Sequence, residues 1–273
     1  MDMGYWEIEY YGLIEMDLVF VKAGGSWITF KDKPFSIDYN ALEKLTEILL
    51  LSSNKAKIVL GHGGGSFAHP VVKSRQVYGD RKTLILCHKA TKTLNQIIVT
   101  KLIDHGLDVL SIQTSSIVLW NGRGYRIFVE PVKQAIDKGL IPIVYGDCIL
   151  DQYSYYRVIS TEELFAVLTM ELRPRRIVYL ERVSGIYTKD PMKYSDAKLI
   201  PLINKENYKE ILDLLEESYG IDVTGGMKTK IEKALELAKE YGIDSIIVSG
   251  YNVEDAVKAI TGGMIKRGTL ITW

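Results

Sequence analysis

Short β-branched runs alternate with longer amphipathic stretches along nearly the whole chain, and this alternation limits the fold more than any other feature. The runs that read as strands are Leu18–Ala23, Lys57–Gly61, Leu107–Ile112, Ile141–Tyr145, Arg176–Leu180 and Ser245–Ser249. Those that read as helices are Asp38–Ser52, Ala90–His105, Glu130–Lys138, Thr161–Leu172, Lys205–Glu217 and Lys228–Tyr241. Gly106, Gly139 and Gly242 each follow a helix, as a residue able to take the left-handed C-terminal cap should. Strands that are apolar throughout and separated by helices indicate a parallel sheet covered on both faces. The expected class is therefore α/β, a three-layer αβα sandwich with a mainly parallel central sheet. Hairpins are expected at Val118–Gly122 and at Asp151–Tyr156. With no linker, repeat or low-complexity tract, residues 1–273 read as one domain. Residues 1–15 read either as a short appended strand or as an upstream extension.

The composition removes several function classes. The chain has 34 basic and 34 acidic residues, so it lacks the basic excess of a nucleic-acid or membrane-surface protein. No apolar run reaches the roughly 20 residues of a membrane span, and the first residues do not read as a signal peptide. A cytoplasmic location follows as an expectation. Cys87 and Cys148 lie far apart outside any CxxC pair and are expected to be reduced core residues.

Three glycine clusters fall where ligands bind in open α/β sheets, beyond strand ends or at helix starts. They are Lys22-Ala23-Gly24-Gly25-Ser26, Gly61-His62-Gly63-Gly64-Gly65-Ser66-Phe67-Ala68-His69-Pro70, and Asp222-Val-Thr-Gly225-Gly226-Met-Lys228-Thr-Lys230. A missing β-carbon lets backbone N–H groups approach phosphate oxygens, and lysines nearby supply the opposing charge. Isolated glycine pairs are ordinary turns; three clusters at element junctions, two of them with lysines, point to a polyphosphate. No GxxxxGK[ST] occurs, and the dinucleotide fingerprint fails at His69-Pro70.

In the order K-x-GGS, HGGG, DVTGG-x-x-x-K, the sequence resembles the amino-acid-kinase family from Val19 to the C-terminus. HGGGSFAHP followed by DVTGGM is most similar to its isopentenyl phosphate kinase branch, with fosfomycin kinases as relatives. The resemblance implies a carbamate-kinase-like fold, with an acceptor-binding N-terminal half and a nucleotide-binding C-terminal half. It implies ATP with Mg2+, a homodimer, and transfer of a phosphoryl group to isopentenyl phosphate. It further implies that Lys22, Ala23, Gly24, Gly25, Ser26, Gly65, Arg182, Gly226 and Lys230 contact ATP. Lys22, Lys31 and Glu162 would be catalytic, and Gly64, His69 and Thr161 would hold the acceptor. His69 would donate to the acceptor phosphate; the plainer alternative is a helix cap beside Pro70. Residues 70–100 would cover the acceptor's organic portion.

Two stretches depart from the family pattern. Where relatives carry Ser-Gly-Asp-Asp, this chain has Ser160-Thr161-Glu162-Glu163, which also reads as a helix capping box. Where relatives carry Thr-Asp-Val-Asp-Gly, it has Glu181-Arg182-Val183-Ser184-Gly185. These changes keep two alternatives open: a kinase of the same fold for another small acceptor, and a catalytically weakened nucleotide-binding paralogue.

Overall fold

The structure, a computed structural model, describes residues 16–219 and 221–273, without the side-chain surroundings at 75, 78 and 216–226. Residues 1–15, expected as an appended strand or extension, lie outside the described residues, and so do the surroundings of Gly226.

One eight-stranded sheet runs through the molecule. In spatial order its strands are Leu202–Ile203, Thr269–Ile271, Asp244–Ser249, Arg176–Glu181, Leu18–Ala23, Lys57–His62, Ile141–Tyr145 and Val109–Ser111. Every pairing from Asp244–Ser249 to Val109–Ser111 is parallel. Thr269–Ile271 alone runs antiparallel to its Asp244–Ser249 neighbour, and Leu202–Ile203 pairs parallel with it. The mainly parallel sheet expected from the sequence is present.

The two-residue period of a strand divides the core into two layers. From the central strand, Val19, Val21 and Ala23 enter one apolar cluster and Phe20 the other. From the next strand, Val178 and Leu180 join the first cluster, and Ile177 and Tyr179 the second. The first cluster packs under the helices Tyr39–Ser52, Arg75–Asp104 and Val253–Thr261; the second packs under Thr161–Leu172 and Ile221–Tyr241. By the same alternation Lys22 and Glu181 point to the second face. The charged end of that layer is thus set by strand geometry.

Both expected hairpins form, Val118–Trp120 with Tyr125–Ile127 and Asp147–Ile149 with Arg157–Ile159. Gly106, Gly139 and Gly242 all take positive φ. Two helices are longer than expected. The one expected from Ala90 begins at Arg75 and bends at Gly79, whose φ is 69°; the charges after Gly79 mask the helical period. The one expected from Lys228 begins at Ile221. Glycine costs about 1 kcal/mol in a helix interior, so Gly225-Gly226 reads as loop in the sequence.

The cysteines correct the sequence reading. Cys87 on the Arg75–Asp104 helix and Cys148 on the Asp147–Ile149 strand are disulfide-bonded. Both face into one cluster, at 1% and 0% exposure. A separation of 61 positions hides a proximity that the packing of helix on hairpin creates. A bridge closing a loop of that length contributes about 4 kcal/mol by restricting the unfolded chain.

Candidate active site

Four buried charges sit together where the Leu18–Ala23 and Arg176–Glu181 strands end. Lys22 Nζ lies 2.7 Å from Glu162 Oε1 and 3.6 Å from Glu181 Oε1. Lys230 Nζ, from the long helix, pairs with the same Glu181 oxygen. All four side chains are 16% exposed or less. Both ammonium groups also stand over the ring of Tyr179, 5.9 and 5.7 Å from its centre.

Burial alone would drive these groups toward neutrality, but their mutual charge wins. Burial pulls the Lys22 amine down, yet Glu162 and Glu181 leave it raised above its usual value. Burial pushes the Glu162 carboxyl up, yet Lys22 and Lys230 hold it at about 2. Glu181 is likewise lowered, with Lys230 and then Lys22 outweighing its burial.

The first two glycine clusters meet backbone to backbone. A β-carbon on Gly25 would stand 2.7 Å from Gly65 N, and one on Gly63 would stand 3.0 Å from Gly25 N. Thr29 Oγ1 locks this contact by donating to Gly25 O at 2.6 Å and accepting from Ser66 N at 2.9 Å. Ala23 and Gly24 lead into the short helix Gly25–Ile28, and Gly64 precedes the helix Gly65–Lys73; neither helix has a side-chain N-cap. The positive end of the second helix opens beside the glycines, where an anion is favoured.

His69 lies inside the Gly65–Lys73 helix rather than at its cap. Pro70, one residue on, cannot donate to the Ser66 carbonyl; Phe35 N does so instead, at 3.0 Å. Ser36 N donates to Ser66 Oγ, which donates to Ser36 O. These bonds hold the 30–36 turn, with the exposed Lys31, against the helix that carries His69. Burial, then the charges of Lys31 and Lys73, lowers the His69 pKa. An imidazole neutral near pH 7 still offers one N–H to an anion.

Of the residues expected at the site, Lys22, Glu162 and Lys230 converge on one point, with Gly24 against Glu181. Gly25, Gly64 and Gly65 form the shared wall, with Ser26 on the short helix. Lys31 stands within electrostatic reach of His69. Arg182 is exposed at the strand's end and within electrostatic reach of Tyr251. Thr161 is committed to the backbone: its hydroxyl donates to His62 O at 2.7 Å and accepts from Gly146 N at 3.1 Å. Ser160 and Glu163 form the expected capping box. Of the 70–100 stretch, Val71, Leu94 and Ile98 are core, while Val77 and Ile85 are exposed.

Sequence reasoning saw at 181 only the loss of a familiar pattern, whereas Glu181 is the partner of Lys230. The available signal was a carboxylate ending an otherwise apolar parallel strand, where ligands bind.

His62 steadies the glycine wall from below. Its Nδ1 lies 3.2 Å from Gly63 O and its Nε2 3.2 Å from Asn95 Nδ2. A carbonyl only accepts, so Nδ1 carries the proton and Nε2 accepts from the amide. Burial lowers the pKa of this ring from 6.5 to about 4. Between those values the unfolded chain binds the proton and the folded one does not, so the neutral-ring contribution is complete above pH 6.5 and is lost as pH falls toward 4. Thermal melts should lose about 3 kcal/mol of stability over that window, and His62→Gln should flatten the dependence. An unchanged slope in the variant would contradict this.

Comparison with known proteins identifies the family. Residues 17–249 match the Amino acid kinase family. The chain belongs to that family. An isopentenyl phosphate kinase of Methanocaldococcus jannaschii is 30% identical across 90% of this chain and 95% of its own length. One from Methanothermobacter thermautotrophicus is 30% identical across 93% and 99%. A solved isopentenyl phosphate kinase structure superposes with a TM-score of 0.77 at 26% identity, covering 93% of this chain and 100% of that one. The mainly parallel sheet, flanked by helices, is the amino acid kinase fold.

Proposed function

We propose that this chain transfers the γ-phosphoryl group of ATP to isopentenyl phosphate, giving isopentenyl diphosphate and ADP. One observation carries the reading: Lys22 and Lys230 converge beside Gly24-Gly25-Ser26, and that loop is backed directly onto Gly63-Gly64-Gly65, with His69 and Lys31 beyond. Such a wall of amides, with two lysines beside one loop and a lysine and an imidazole N–H near the other, suits two phosphates brought head to head. Relatives over nearly the whole chain carry the name isopentenyl phosphate kinase, which supports the acceptor.

In this reading ATP lies against Lys22, Ala23, Gly24, Gly25, Ser26, Gly65, Arg182, Gly226 and Lys230. The acceptor phosphate lies against Gly64 and His69, above the Thr161 helix start. An acceptor oxygen forms a bond to the γ-phosphorus as the bond to the β–γ bridging oxygen breaks, and the leaving electron pair stays on ADP. Catalysis of such a step is mostly positioning and neutralisation of charge. Lys22 does this from the nucleotide side and Lys31 from the acceptor side, with Glu162 fixing Lys22.

Magnesium would supply further charge neutralisation on the nucleotide. Glu162 and Glu181 already accept from ammonium groups, and among the described residues no cluster of three His, Cys, Asp or Glu could hold a metal. This donor set fits an ion carried by the phosphates of ATP. The same proposal includes a homodimer and a cytoplasmic location. The first rests on the family resemblance; the second is consistent with the absence, among the described residues, of a helix able to cross a membrane.

Phosphorus NMR of the protein with Mg-ATP and isopentenyl phosphate should show ADP and isopentenyl diphosphate appearing together. ADP without a new diphosphate ester would reject the acceptor. His69→Ala should raise the KM for isopentenyl phosphate about tenfold, the worth of one hydrogen bond to a charged group, and leave the KM for ATP in place. Equal effects on both substrates would remove His69 from the acceptor site.

A further inference from the structure

We infer that Glu181 is a positioning residue for phosphoryl transfer, one that holds Lys230 and Lys22 to a shared carboxylate oxygen at a spacing suited to the ATP phosphates. The inference rests on the proposed kinase reading and adds to it a residue that the family pattern does not supply.

Glu181 Oε1 is the point where the two lysines meet: Lys230 pairs with it directly and Lys22 stands 3.6 Å away. Glu162 is hydrogen-bonded to Lys22 at 2.7 Å and acts on Lys230 only through its field. The two carboxylates therefore divide the work, Glu162 fixing Lys22 and Glu181 fixing Lys230. Without Glu181, Glu162 and the Tyr179 ring would be left facing the paired lysines among the described residues, and the two ammonium groups would repel each other across a buried space.

The other carboxylate oxygen of Glu181 lies against the first glycine loop. A β-carbon on Gly24 would stand 2.5 Å from Glu181 Oε2 and 3.0 Å from Leu180 O. Gly24 thus makes room for Glu181 as well as for a ligand, and loop and carboxylate fit as a pair. An ammonium group has three N–H donors. Lys22 directs one to Glu162 and leans a second toward Glu181, and Lys230 directs one to Glu181, so each ammonium keeps at least one for phosphate oxygens. The carboxylates orient the lysines without exhausting them.

Glu181→Gln keeps the shape and removes the charge. Its kcat should fall at least tenfold while the KM for ATP stays within threefold. The alkaline limb of the pH profile should move to lower pH, since the Lys22 amine, raised by Glu162 and Glu181 together, would keep one carboxylate instead of two. The Lys22 ε-carbon NMR titration of the substrate-free protein should show the same downward shift. That readout needs no turnover, so it separates failure of this inference from failure of the kinase assignment. Glu181→Asp, which keeps the charge, should restore the lysine titration. An unmoved Lys22 titration in Glu181→Gln, or an unchanged kcat with tighter ATP binding, would overturn the inference; the latter would make Glu181 a repulsive brake on the nucleotide.

Discussion

Lys22→Ala should reduce turnover by about 10³-fold or more and destabilise the folded chain at the same time. The catalytic part follows from the position of the amine, at the end of the central strand beside the first glycine loop. A cation that neutralises the transferring group is worth several orders of magnitude in rate. The stability part follows from its partners. Glu162 would lose the hydrogen bond that keeps its carboxylate charged at 16% exposure, and breaking a buried pair by removing one member costs about 3–5 kcal/mol. Steady-state ADP release and chemical denaturation measure the two effects separately. Turnover within tenfold of the parent would show that Lys22 does not face the reacting phosphates.

The second large effect is expected at Gly65. Its φ is 48°, a left-handed value that a side chain adopts only with strain. A β-carbon there would also stand 2.3 Å from Thr29 Oγ1 and 2.8 Å from Gly25 O. Gly65→Ala must therefore push the two glycine loops apart through the threonine that joins them. A displacement of about 1 Å costs about a hundredfold in rate, so kcat/KM should fall by that much for both substrates. Gly106→Ala is the matched control. Its φ is 83°, but nothing lies within 4 Å of its would-be β-carbon, so it should cost about 1 kcal/mol of stability and no activity. Equal activity losses in the two variants would show that strain, not loop contact, is the cause.

The strands and their order of appearance were legible because the central sheet is apolar on both faces and its helices end at glycines that do take positive φ. The capping box at Ser160 was legible because it is local. Other features were hidden by distance along the chain. The Cys87–Cys148 bond depends on a helix meeting a hairpin, and the pairing of Lys230 with Glu181 joins residues 49 apart. The Gly65–Lys73 helix was hidden differently. Pro70 reads as a breaker, and only the amide of Phe35, from the opposite loop, makes a proline tolerable there. The bonds of the Thr161 hydroxyl to His62 O and from Gly146 N were hidden as the disulfide was, since they join residues far apart in the chain.

That carbonyl of Ser66, left free by a proline and claimed by Phe35, has a mechanical result. The rim carrying Lys31 and the helix carrying His69 are riveted through main-chain atoms, so the jaws that would grip an acceptor keep a constant gap. Discrimination among acceptors then depends on which groups fill that gap rather than on how far it opens.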